Sequence, residues 1–123
     1  MQISRRFTPR TTVDDDTFMF DFGDPAAVNE FGDVGPNLAE GETIDAVTVT
    51  AGLYAYATQP SSPASLTVSG TAIADGPTMP ASRVLARVLA GGTNDAEYVL
   101  TCTVTTSTGR IARRSGRVLT TTL

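Results

Sequence analysis

Hydrophobic and polar side chains alternate one by one along much of this chain. The first clear instance is "TFMFDF", where Phe18, Phe20 and Phe22 recur at spacing two with Thr17, Met19 and Asp21 opposite. A period of two is that of a pleated strand with one buried face, so the stretch predicts a strand. From Gly23 to Gly41 the segment "GDPAAVNEFGDVGPNLAEG" holds Pro25, Pro36 and four glycines, and predicts a long loop with room for one short helical turn. "ETIDAVTVTA" resumes the alternation, Val47 and Val49 on one side and Thr48 and Thr50 on the other. Ile44 is out of phase with the valines, which predicts a twist or bulge near Asp45.

"LYAYATQPSSPAS" places Tyr54 and Tyr56 on one face before a Pro/Ser connection, and "LTVSGTAI" then gives Leu66, Val68 and, past Gly70, Ile73. "ASRVLARVLAGG" fits two periods. Its Ala, Arg and Leu content, with Pro80 to open and Gly91 to cap, suits a helix. Val84, Ala86, Val88 and Ala90 also alternate with Arg83, Leu85, Arg87 and Leu89 as a strand requires. A lone helix would leave its strand neighbours without a partner edge, so the strand is expected. The last third reads as a hairpin: Tyr98, Leu100, Cys102 and Val104 face one way, "STGR" turns the chain, and Ser115 and Gly116 break the phase of the returning strand. About seven short strands separated by turns predict an all-β fold, an immunoglobulin-like β-sandwich over residues 14–123 preceded by an extended N-terminal arm over residues 1–13.

Composition narrows the chemistry. The 123 residues suit one domain, and the N-terminal "MQISRRFTPR" lacks the apolar run of a signal peptide, so the expectation is a protein used without secretion through a membrane. Histidine is absent and all nine basic residues are arginine, which removes Ser-His-Asp and Cys-His arrangements, histidine metal sites, Schiff-base lysines and the P-loop lysine. The single Cys102 excludes an intrachain disulfide, and its place in mid-strand reads as a small buried hydrophobe. No enzymatic activity and no cofactor are expected.

Weaker candidates remain. Asp14, Asp15 and Asp16 with Asp21 and Asp24 offer oxygens for calcium but lack the spacing of a calcium loop, so no metal site is assigned. Glu40 with Glu42, or Asp75 with Glu97, could be paired carboxylates of a small hydrolase, and Tyr54 with Tyr56 a sugar platform, for which core or edge packing is the favoured alternative.

The net charge of −4 argues against general nucleic acid binding. Arginines nevertheless cluster at Arg5, Arg6 and Arg10 and again at Arg110, Arg113, Arg114 and Arg117. Arginine is enriched at protein interfaces, and the arm has too few large apolar side chains (Ile3, Phe7, Val13) for a core of its own. The expected partner contacts are therefore Arg5, Arg6, Phe7, Arg10, Arg113, Arg114 and Arg117, with the arm gaining order on a neighbouring subunit.

Three segments in fixed order carry a family resemblance: "FDF" followed by "LAEGETIDAVTVTA"; "QPSSPASLTVSGTAI"; and "VLAGGTNDAEYVLTCTVTTSTGRIARRSGRVL". Together they resemble the small tailed-phage virion proteins described as fibre-to-tail adaptors, over most of the chain from Asp16 onward. The resemblance implies an immunoglobulin-like fold, a non-enzymatic structural role joining the tail assembly to fibres or collar components, and a place in the tail or head–tail neck after synthesis in the host cytoplasm. The partners it implies are portal, adaptor, tail-nozzle or fibre proteins, with copies in a sixfold or twelvefold ring and no membrane. A head decoration or tail ornament protein, or a carbohydrate-binding module touching the host surface, is the alternative. The chain departs from the pattern at Gly23 to Asn37, which look like an insertion, and at "GGTNDAEY", where Asn94 and Asp95 replace an expected glycine but tolerate the left-handed backbone.

Overall fold

The computed structural model describes residues 6–23, 37–55, 57–77 and 79–121. Among them the chain forms seven strands and no helix: β1 (Arg10–Thr11), β2 (Asp16–Asp21), β3 (Ile44–Leu53), β4 (Val68–Ala74), β5 (Arg83–Val88), β6 (Glu97–Thr106) and β7 (Ile111–Thr121). One sheet has the order β1-β7-β6-β3 and the other β2-β5-β4. Every pairing is antiparallel except that of β1 with β7. The sheets enclose one apolar core and make the expected immunoglobulin-like sandwich.

The core follows from the alternation. Phe18 and Phe20 of β2 lie in register with Ala86 and Val84 of β5, and these meet Leu100, Cys102 and Val104 of β6 from the facing sheet. The ambiguous segment is the strand β5, central in its sheet, and Val84, Ala86 and Val88 are fully buried. Burial on one face decides it, since a helix would spread those residues around its axis. A register shift between Ile44 and Ala46 places the expected bulge at Asp45. At the hairpin turn Gly109 has φ 83°, and Asp95 takes the left-handed backbone, φ 66°, in the turn where glycine was expected.

Two features add to or differ from the sequence reading. Ser115 and Gly116 fall where the burial pattern loses its alternation, Arg114, Ser115 and Gly116 being buried in succession, yet β7 pairs with β6 without a shift from Ile111 to Leu119. The alternation is only disguised, because the inward positions include Arg114 and Gly116. Glycine is required there by the first segment of the chain. A Cβ on residue 116 would lie 2.6 Å from the Phe7 ring.

The second difference is that segment itself. Arg6 bridges Arg117 in parallel, the Phe7 N–H donates to the Arg117 carbonyl at 2.8 Å, and β1 continues the pairing along β7. The seventh strand is thus contributed by the N-terminal segment and not by the region of Tyr54. Residues 6–11 are an edge of the sandwich, where an arm reaching outward was expected. Two side chains explain it: Phe7 has an aromatic slot to fill, and Arg10 has carbonyl groups to satisfy.

Candidate functional site

Each arginine of the expected contact set has a definite place. Arg10 is fully buried, its guanidinium donating to the carbonyls of Gly91 (2.8 Å), Leu89 (3.0 Å) and Asp14 (3.2 Å) and to the Thr120 hydroxyl (3.3 Å). Arg114 is equally buried, bonding Asn37 Oδ1 at 2.9 Å, the Asp21 carbonyl at 3.3 Å and the Arg113 carbonyl at 3.0 Å, with its guanidinium over the Phe22 ring. Neither guanidinium is exposed on the surface of the single chain. Burial of a cation demands such bonding, and here the fold itself supplies it.

Phe7 is half-buried, edge-on to Phe18 and Phe20 at centroid distances of 5.0 and 5.5 Å. Arg117 stacks over Tyr54 and pairs with Glu97 at 3.4 Å. Tyr54 is therefore a buried packing residue and no sugar platform. Arg6 and Arg113 are exposed, and Arg5, Asp24 and Tyr56 lie outside the described residues.

The carboxylates are engaged by the chain's own donors. Asp15 accepts from the Ala90 N–H at 2.7 Å and from Arg87 at 2.5 Å, and these bonds hold its carboxyl below the usual range. Asp21 accepts from Gly23 N–H and Arg83, Asp14 from Thr11, and Asp16 lies 3.7 Å from Arg10. Among the described residues no cluster of three or more candidate metal ligands occurs. Asp75 accepts from the Ala81 N–H, so it and Glu97 serve separate places. Cys102 is buried, and burial pushes its thiol up to about 12, against a smaller downward pull from Arg114.

Among the described residues the most heavily bonded acid is Glu42, which the sequence reading paired with Glu40. Its buried carboxylate accepts two bonds from Arg110, one from the Thr106 hydroxyl (2.5 Å), one from the Thr108 hydroxyl and one from the Ala39 N–H (2.8 Å). These donors, Arg110 foremost, hold it far below the ordinary carboxylate range. Arg110 also donates to the Asn37 carbonyl, and the Leu38 N–H to the Phe22 carbonyl at 2.9 Å. The described segments that end at Gly23 and begin at Asn37 are therefore held side by side. Sequence reasoning placed Arg110 in a cluster and missed this role. The signal available was an acid after the insertion and an arginine after the hairpin turn, which only the tertiary fold joins.

What remains free is a surface. On the outer face of the β1-β7-β6-β3 sheet the register aligns Thr48, Thr103 and Arg113 in one row and Ala46, Thr105 and Ile111 in the next, with Thr50 beside Thr101. Thr48, Thr50, Thr105, Ile111 and Arg113 are exposed. Short hydroxyl side chains on a pleated sheet make a flat face, and Arg113 stands on it, its Nε 3.4 Å from the Thr103 hydroxyl. The opposite sheet carries a depression of about 380 Å³, lined by Thr17, Ser69, Thr71, Leu85 and Arg87 among others, none of them aromatic. The geometry suits contact between large surfaces better than enclosure of a small molecule.

Comparison with known families gives a match of residues 24–119 to the family described as Gp77, podophage GP4 fiber-tail adaptor protein gp77. No curated protein and no solved structure matches the chain.

Proposed function

The chain belongs to the podophage fibre-tail adaptor family, and from that membership we propose that it is a non-enzymatic structural protein of the virion tail that joins the tail assembly to its fibres. The structural observation behind this reading is the flat outer face of the four-stranded sheet, rich in threonine and carrying the exposed Arg113 and Ile111. A rigid face of this kind suits a protein partner: its hydroxyls can exchange water for partner groups, and the arginine can meet a carboxylate bidentately. Arg6, exposed where the first segment bridges β7, extends the cationic edge of the same sheet. Phe7 and Arg117 act behind it by fixing that segment.

A reconstruction of the assembled particle tests the reading together with the double variant Thr103→Glu, Arg113→Glu. The expected result is density for the chain between tail and fibre, and a double variant that folds with an unchanged melting curve but leaves particles without fibres. Copies found only on the head, or fibre attachment unaffected by the variant, would overturn it.

A further inference from the structure

β3 pairs with β6 on one side only and forms the edge of its sheet. The Tyr54 N–H donates to the Glu97 carbonyl at 3.0 Å, and the β3–β6 register runs unbroken from Ala46 to Leu53. Antiparallel ladders alternate, so Ala46, Thr48, Thr50 and Gly52 turn their backbone groups to β6, and Val47, Val49, Ala51 and Leu53 turn theirs to the open side. Among the described residues nothing bonds those groups. The usual protections are missing as well: from Ala46 to Leu53 the strand has no proline and no charge, and its bulge lies at one end. The other edges are blunted. β1 has two residues, β4 is interrupted between Val68 and Gly70, and the outer side of β2 is met by Arg114, which donates to the Asp21 carbonyl.

We propose that β3 pairs antiparallel with β3 of a second copy about a twofold axis through Val49. The strand complements itself in this register. Val49 lies opposite Val49 of the other copy, Val47 opposite Ala51, and Thr48 opposite Thr50, so hydroxyls meet on the outer face and apolar side chains on the inner. The residues opposed at Val49, Val47 and Ala51 are those whose N–H and C=O groups point outward, so each such pair exchanges two hydrogen bonds. The one charge of β3, Asp45, falls opposite Leu53 and not opposite its own copy. Pairing removes the remaining exposure of Val47 and Val49, which are half-buried in the single chain, and joins two flat outer faces into one. A twofold contact closes on itself, which leaves no strand edge to propagate. The inference concerns contact between copies and does not depend on which virion protein the outer face meets.

Sedimentation and light scattering on the purified full chain should show a concentration-dependent species of twice 12.8 kDa. The double variant Thr48→Lys, Thr50→Lys sets lysine against lysine across the axis, and Thr48→Glu, Thr50→Glu sets glutamate against glutamate. Each should be a monomer with a preserved melting curve, because both threonines are exposed, and an equimolar mixture should recover the doubled mass. Independently of any variant, the amides of Val47, Val49 and Ala51 in the unaltered chain should exchange slowly when concentrated and fast on dilution. A chain of single mass at every concentration, a lysine variant that pairs like the parent, or amides protected only within the assembled particle would overturn the proposal, the last by giving the edge to a different virion protein.

Discussion

Gly116 shows how one side chain can be dictated by another far away in sequence. Its inward Cα faces the Phe7 ring, so Gly116→Ala should expel the ring and cost about 1–3 kcal/mol. A double-mutant cycle with Phe7→Ala, read by denaturant unfolding, should be strongly non-additive because the clash needs both partners. Glu42 likewise depends on a side chain far away in sequence, Arg110. Its folded carboxyl is held below the ordinary value of about 4.5, so its contribution to stability is fully present above that value and drains as the pH falls below it. Glu42→Gln should lower the melting temperature at neutral pH and flatten the acid side of the stability profile, and unfolding curves across the acid range check both. Cys102→Ser places a hydroxyl in the apolar core and should destabilise by roughly 1–3 kcal/mol, while the native thiol reacts with a disulfide reagent only at the rate of unfolding.

Among the elements, the first segment and β3 occupy opposite edges of one sheet and behave differently. The first segment is short, but Phe7 and Arg10 tie it into the core, so removing residues 1–12 should lower stability by roughly 3 kcal/mol or more. Calorimetry on the truncated chain decides this, and an unchanged melting temperature would mean that the slot and the carbonyls are satisfied without it. After β2, Phe22 and Leu38 are bonded to each other and Arg110 to Asn37, so these described positions brace one another across the fold.

For the molecule as a whole, both sheets contribute to one buried cluster, and neither has an apolar face it could cover alone. Unfolding should therefore be a single cooperative transition, with tertiary and secondary signals coincident in denaturant titrations. The described arginines divide in two groups: Arg10, Arg83, Arg87, Arg110, Arg114 and Arg117 bind the chain to itself, and Arg6 and Arg113 are exposed.

The sequence by itself determined the strands, because an alternation of period two is a local property: "TFMFDF", "VTVT" and "YVLTCTV" each declare a face without knowing their partners. It determined the bulge at Asp45 and the left-handed turn at Asp95 for the same reason, since both follow from residues within a few positions. The family, too, was legible in motif order. Only the tertiary structure decided which charges are internal. Arg10 and Arg114 look like contact residues because a cation is ordinarily solvated, and only long-range carbonyls, Gly91 and Leu89 for one and Asp21 for the other, make burial tolerable. Gly116 looked only like a break in phase because its reason for being glycine, the Phe7 ring, is brought to it by a parallel pairing that no local pattern encodes.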